Sequence, residues 1–184
     1  MAIVQVNNGD TGLVARGKIN ETITHANTNT GWAQYADTQY TDLSPFIISE
    51  GVTSNLPNNA GTSITSQLPV GSSGLYNGTR MTPDANGDSY GVRVSFTAEN
   101  SSVNGAFALS MDISAAGDGS FTIFTRSSST LRGANNPQDY VFSTDIYTLN
   151  TFLANGGLLK VEAIAGDLSL YNINYNIFKQ HSAR

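Results

Sequence analysis

Tyr90, Val92, Val94, Phe96 and Ala98 occupy every second position of one segment, with Gly, Arg, Ser and Thr between them. Successive side chains of a strand point to opposite faces, so this spacing collects the apolar groups on one side of a sheet. A helix would scatter them. The same period returns in Phe107, Leu109, Met111 and Ile113, and again in Leu159, Val161 and Ala163. Tyr171, Ile173, Tyr175 and Ile177 are expected to share one face of a last strand. Phe121 and Ile123 open another, and 140–147 one more. Asn104-Gly105, Gly117-Asp118-Gly119 and Gly166-Asp167 supply turn chemistry around these runs. Repeated short strands of this kind predict an all-β antiparallel sandwich, and a jelly roll is the common version at this length.

The first half is less regular. Trp32 to Leu43 reads as an irregular strand, and Pro45-Phe46-Ile47-Ile48 as a short buried one. The stretch 53–78, rich in Asn, Ser, Gly and Pro, reads as a long loop with a strand near Ile64. Leu149 to Leu153 suits one helical turn. Before the β region, Ala15, Ile19 and Ile23 fall at helical spacing behind Asp10, which can cap a helix start. Gly12 and Gly17 weaken that helix by roughly 1 kcal/mol each, so it is expected to need a partner surface. Residues 24–30 read as a loop. Residues 1–30 therefore form an arm and hinge, and residues 31–184 the sandwich.

Composition narrows the function. Charged residues make up only 12% of the 184, and the formal net charge is −5. Arg16 and Lys18 in the arm are the one local basic pair, so nucleic-acid binding, which needs clustered cations, is not expected. No apolar run approaches the roughly 18 residues of a membrane span, and the first residues lack a signal-peptide pattern. With no cysteine there is no disulfide framework. Few charges over apolar strands invite edge association, which a closed oligomer removes.

Candidate chemistry is sparse. Asp84-Ala85-Asn86-Gly87-Asp88 resembles the start of a calcium loop, but its sixth position is Ser89 and its twelfth Ser95, so it reads better as a polar turn. His25 and His181 are the only histidines and form no metal or triad spacing. Asp112 lies between Met111 and Ile113 and should point outward, and Glu99, Glu162, Asp118 and Asp167 read as surface groups. No catalytic residue, metal or cofactor is assigned, and the chain is read as non-enzymatic. Trp32, Tyr35, Tyr40, Tyr76 and Tyr90 are aromatic enough for a sugar platform, though equally ordinary core residues. Three Asn-x-Ser/Thr triplets, at Asn20, Asn77 and Asn100, match the glycosylation pattern.

The peptide Asp10-Thr11-Gly12 through Arg16-Gly17-Lys18-Ile19-Asn20 resembles a D-[ST]-G-x3-R-x-K-I-N pattern near the N-termini of tailed-bacteriophage virion proteins. The closing Asp167-Leu168-Ser169-Leu170-Tyr171-Asn172-Ile173 is similar to the final strands of their domains. The resemblance implies a virion protein, assembled in a host cytoplasm. An arm would attach to the particle, and a jelly roll, often trimeric, would project from it. With no shaft repeats, it implies a head decoration (cement) or head-fibre protein that stabilises the capsid. Leu13, Ala15, Ile19 and Ile23 would anchor to the major capsid protein or another virion protein, and Arg16 and Lys18 would pair with its carboxylates. The rival reading is a tail-fibre or receptor-binding module contacting host glycans through Trp32, Tyr35 and Tyr40. A polysaccharide hydrolase is a third class, and it would show turnover.

Overall fold

The computed structural model describes residues 5–69, 71–72, 74–129 and 133–182, with no side-chain description for 23–29. Ile3 and Val4 lie outside the described residues, as do the side chains of Ile23 and His25. Among the described residues, one helix, α1 (Gly12–Asn29), precedes ten strands: β1 (Gly31–Ala36), β2 (Phe46–Ile48), β3 (Thr53–Asn55), β4 (Thr62–Ile64), β5 (Ser89–Asn100), β6 (Ala106–Asp112), β7 (Thr122–Ser129), β8 (Gln138–Tyr147), β9 (Leu158–Ala165) and β10 (Leu168–His181). A short helix, α2 (Asn150–Asn155), bridges β8 and β9.

The strands form two antiparallel sheets stacked as a jelly-roll sandwich. One runs β4-β1-β10-β5-β8, with β2 also pairing β10, and the other runs β3-β9-β6-β7. The alternating residues of β5, β6 and β9 supply the interior, where Tyr90, Phe96, Phe107, Leu109, Met111 and Val161 are buried. Each such side chain contributes about 1.5–3 kcal/mol through burial. A ring cluster ties the sheets together. Phe107 of β6 meets Tyr140 of β8 edge-on at 4.8 Å and lies 5.7 Å from Phe96 of β5. Buried phenols find acceptors: Tyr175 donates to Leu56 O (2.8 Å) and Tyr76 to Asn58 O (2.9 Å).

Two departures from strict alternation have one cause. In β10, Leu168 and Leu170 face the core together with Ile173, Tyr175 and Ile177, whereas Tyr171 lies outside that cluster. The register against β5 slips between Tyr171 and Asn174, and Asn172 sits at φ 55°. An extra residue there flips the phase of everything beyond it. In β7, Phe124 packs against the core while Ile123 and Phe121 are exposed, because the pairing with β6 slips between Met111 and Asp112. Asp112 alternates with core-facing Met111 and Ile113 as expected, yet it is fully enclosed, because the 113–119 loop closes over its carboxylate.

Other differences are local. The loop expected at 24–30 is helical through Asn29, and Thr30 alone separates α1 from β1. Thr11, not Asp10, is the N-cap; its hydroxyl accepts from Val14 N at 3.4 Å. The strand expected over 32–43 ends at Ala36. The 53–78 stretch holds two strands, β3 and β4, and in β2 only Ile48 is buried.

Candidate functional site

Among the described residues α1 shares no packed interface with any strand. Leu13 is 72% exposed, Ile19 49%, and Val14 and Arg16 are also exposed, while Ala15 is half-buried. Leu13 and Val14 point away from the Ala15–Ile19 side at 100° per residue, so the helix presents apolar groups around its girth rather than along one stripe. Lys18 is already engaged: its Nζ lies 2.8 Å from Asp10 Oδ2. That contact, with Asn7 N donating to the same carboxylate, holds Asp10 below its ordinary pKa. Asp10 thus closes the start of the arm through Lys18 instead of capping the helix.

The sheets differ in what they turn outward. Trp32 and Phe178, directly paired across β1 and β10, lie on the outer face of the larger sheet with Ile64, Val141 and Tyr147. The outer face of the smaller sheet carries Thr53, Ala108, Ser110, Thr125, Lys160 and Glu162. On the larger sheet, Gly91 leaves an open pit of about 280 Å3 walled by Arg93, Ser143, Asp145, Phe178 and Gln180. Gln180 Nε2 donates to Asp145 Oδ1 across it (2.8 Å), and a Cβ at Gly91 would stand 2.9 Å from that nitrogen.

The aromatic residues of the sugar-platform reading do not form a surface platform: Tyr35, Tyr76 and Tyr90 are buried. Tyr35 is a core residue, its ring 5.3 Å from Tyr76. Trp32 is on the opposite face of β1 and half-buried. Tyr40 packs against Phe46 at 5.2 Å, in the segment before β2. Asn100 is also enclosed: its amide donates to Ala165 O and accepts from Ser102 N (both 2.8 Å).

Two polar clusters escaped the sequence reading. In the first, Lys179 of β10 is buried and its Nζ lies 2.8 Å from Asp88 Oδ2 and 3.0 Å from Asp84 Oδ2. The ammonium stands where the calcium-loop reading would put a cation. Among the described residues no group of three or more His, Asp or Glu gathers as a metal site. Only a lysine on an inward position of the last strand hinted at this pairing.

The second cluster organises the 113–119 loop. Asp112 accepts from Ser114 N (2.8 Å) and Gly119 N (2.7 Å), with Lys160 Nζ 3.9 Å away. Burial alone would raise the Asp112 pKa, but these N–H groups, the Ser114 hydroxyl and the Lys160 charge outweigh it and the net shift is downward. Nearby Asp118 is pulled down to about 2, chiefly by the Ser120 hydroxyl and N–H and by the Ser114 hydroxyl. A lowered folded-state pKa contributes stability above the ordinary value, and that stability is lost as pH falls through the folded value. Carboxyl 13C NMR titration is therefore expected to place the Asp118 midpoint near 2, and a midpoint at the ordinary 3.8 would contradict the loop geometry.

No protein-family model and no curated protein sequence matches the chain. Solved structures do share its fold. The chain is similar to the Eiger TNF of S. frugiperda, with a TM-score of 0.51 at 15% identity over 84% of this chain and 94% of that one. It is also similar to the PRD1 vertex protein P5, with a TM-score of 0.50 at 12% identity over 83% of this chain and 96% of that one. At these identities the likeness is one of fold.

Proposed function

We propose that this chain is a non-enzymatic structural protein of a virion, a head decoration protein that attaches through α1 and projects its sandwich as a homotrimer. The observation that carries this reading is the arm. α1 stands clear of the sandwich with Leu13, Val14, Ile19 and Arg16 exposed. An isolated helix of 18 residues with two glycines is marginal in water, so its docked state is where it gains stability. The fold shared with a vertex protein supports the virion setting. The apolar outer face of the larger sheet, with Trp32, Phe178, Val141 and Tyr147, supports self-association there. A protein that binds only assembled shell stabilises it by mass action.

Removal of residues 1–29 tests the arm. The remaining sandwich is expected to keep its β-sheet circular dichroism and its oligomeric state, and to lose co-sedimentation with particles lacking the protein. Undiminished binding by the truncated chain would overturn the assignment.

One observation favours a second reading, a module recognising host glycans. The Gly91 pit sets an aromatic wall, Phe178 beside Trp32, against the polar Arg93, Asp145 and Gln180. Sugar sites combine such groups. The two readings use the same face, so glycan-array binding lost on Trp32→Ala in a monomeric protein would decide for the second.

A further inference from the structure

Lys179 and Asp88 meet inside the sandwich with little access to water. Asp88 is fully buried, the Lys179 side chain is 4% exposed, and their nitrogen and Oδ2 are 2.8 Å apart. Tyr90, itself fully buried, donates its phenolic hydrogen to Asp88 Oδ2 (3.1 Å). Its oxygen in turn accepts from Asp84 N at 2.9 Å. The second carboxylate, Asp84, places Oδ2 3.0 Å from the same Nζ and accepts from the Ser72 hydroxyl (3.0 Å) through Oδ1. A primary amine, a carboxyl group polarised by a phenol and a second carboxylate therefore stand in mutual contact.

Charges held away from water are costly, and condensation to an amide removes a pair of them. We propose that Lys179 and Asp88 join in an intramolecular isopeptide bond, with Asp84 as the proton carrier. The ammonium passes one proton to the Asp88 carboxyl group, and with that proton on Oδ1 the pair is a neutral amine and a carboxylic acid whose Oδ2 keeps the Tyr90 hydrogen bond. Nζ attacks Asp88 Cγ and the C–N bond forms. Tyr90 holds the oxygen on which negative charge develops, as a preorganised donor does. Asp84 takes a second proton from the nitrogen and delivers it to the departing hydroxyl. The Cγ–Oδ1 bond breaks and water leaves. One hydrogen stays on the amide nitrogen, Asp84 returns to its carboxylate form, and no oxidant or co-reactant is consumed.

Asp88 is the acceptor rather than Asp84 because it is the more enclosed and takes the Tyr90 hydrogen bond. The amide would tie the end of β10 to the turn that leads into β5. In a chain without cysteine it closes a long loop in the unfolded ensemble, as a disulfide would.

The test is the intact mass of the full-length chain under denaturing conditions. The expected value is one water below the sequence mass, with fragmentation mapping the loss to a branched peptide joining Asp88 and Lys179. Lys179→Met and Asp88→Ala are each expected to restore the full sequence mass, whether or not they fold. Asp84→Ala is expected to retain the full mass in most molecules. A wild-type chain at its sequence mass after days of warm incubation would overturn the proposal and leave an ion pair. So would a water loss that maps elsewhere, for instance to Asp118-Gly119.

Discussion

Phe107→Ala is expected to remove about 3–5 kcal/mol of folding stability, the usual cost of emptying a buried aromatic site. Domains of this kind are stable by only about 5–15 kcal/mol, so the loss is a large share of the whole. The position earns the upper part of that range. Phe107 is fully buried and comes from the smaller sheet, yet its ring contacts are Phe96, Tyr140 and Phe142 of the larger one. Truncation therefore leaves a void between the sheets and strips three rings of a partner, two of them, Tyr140 and Phe142, in edge-to-face contact. Each such pair adds about 0.5–1.5 kcal/mol beyond area. Chemical denaturation followed by tyrosine and tryptophan fluorescence reads the change. Phe107→Leu, which keeps most of the volume, is expected to recover most of the loss. A Phe107→Ala variant within about 1 kcal/mol of the parent would mean that the sheets collapse onto the void, against the rigidity of packed interiors.

Asp112→Ala is expected to cost about 3–5 kcal/mol for a different reason, the stranding of buried partners. The carboxylate is the acceptor for two loop N–H groups and the nearest counter-charge of Lys160. Without it the Ser114 and Gly119 N–H groups lose their acceptor, and Lys160 keeps only its hydrogen bond to Gly117 O. Asp112→Asn is expected to be nearly as harmful, because the two N–H groups bind different carboxylate oxygens and the amide nitrogen must then face one of them. A double-mutant cycle separates the terms. Adding Lys160→Met to Asp112→Ala removes the uncompensated charge and is expected to restore part of the stability, measurable by denaturant titration. If the two substitutions are simply additive, Lys160 plays no part in holding the carboxylate.

How much of this was legible follows from the range of each determinant. The alternations in β5, β6 and β9 predicted strands whose marked residues are buried as expected, because a two-residue period is a property of consecutive residues. The helix of the arm was legible as a spacing, and its continuation to Asn29 was not, since His, Asn and Thr are poor helix formers. Tyr35 shows the limit of composition: an aromatic residue looks alike whether it lines a ligand site or the core, and its partner Tyr76 lies far along the chain. The two bulges show the limit of periodicity. A single extra residue at Asn172 or Ile123 changes which face follows, and only pairing with β5 or β6 reveals it.

The sequence by itself determined that this chain is an antiparallel sandwich with a helical arm before it, because strand period, turn residues and the scarcity of charge are local and additive. The tertiary structure decided which polar groups the sandwich encloses. Asp88 meets Lys179 only when β10 pairs with β5, and Asp112 meets Lys160 only when β6 pairs with β9. Long-range pairing, rather than the residues' own preferences, therefore turned charges that read as surface groups into the interior chemistry of the protein.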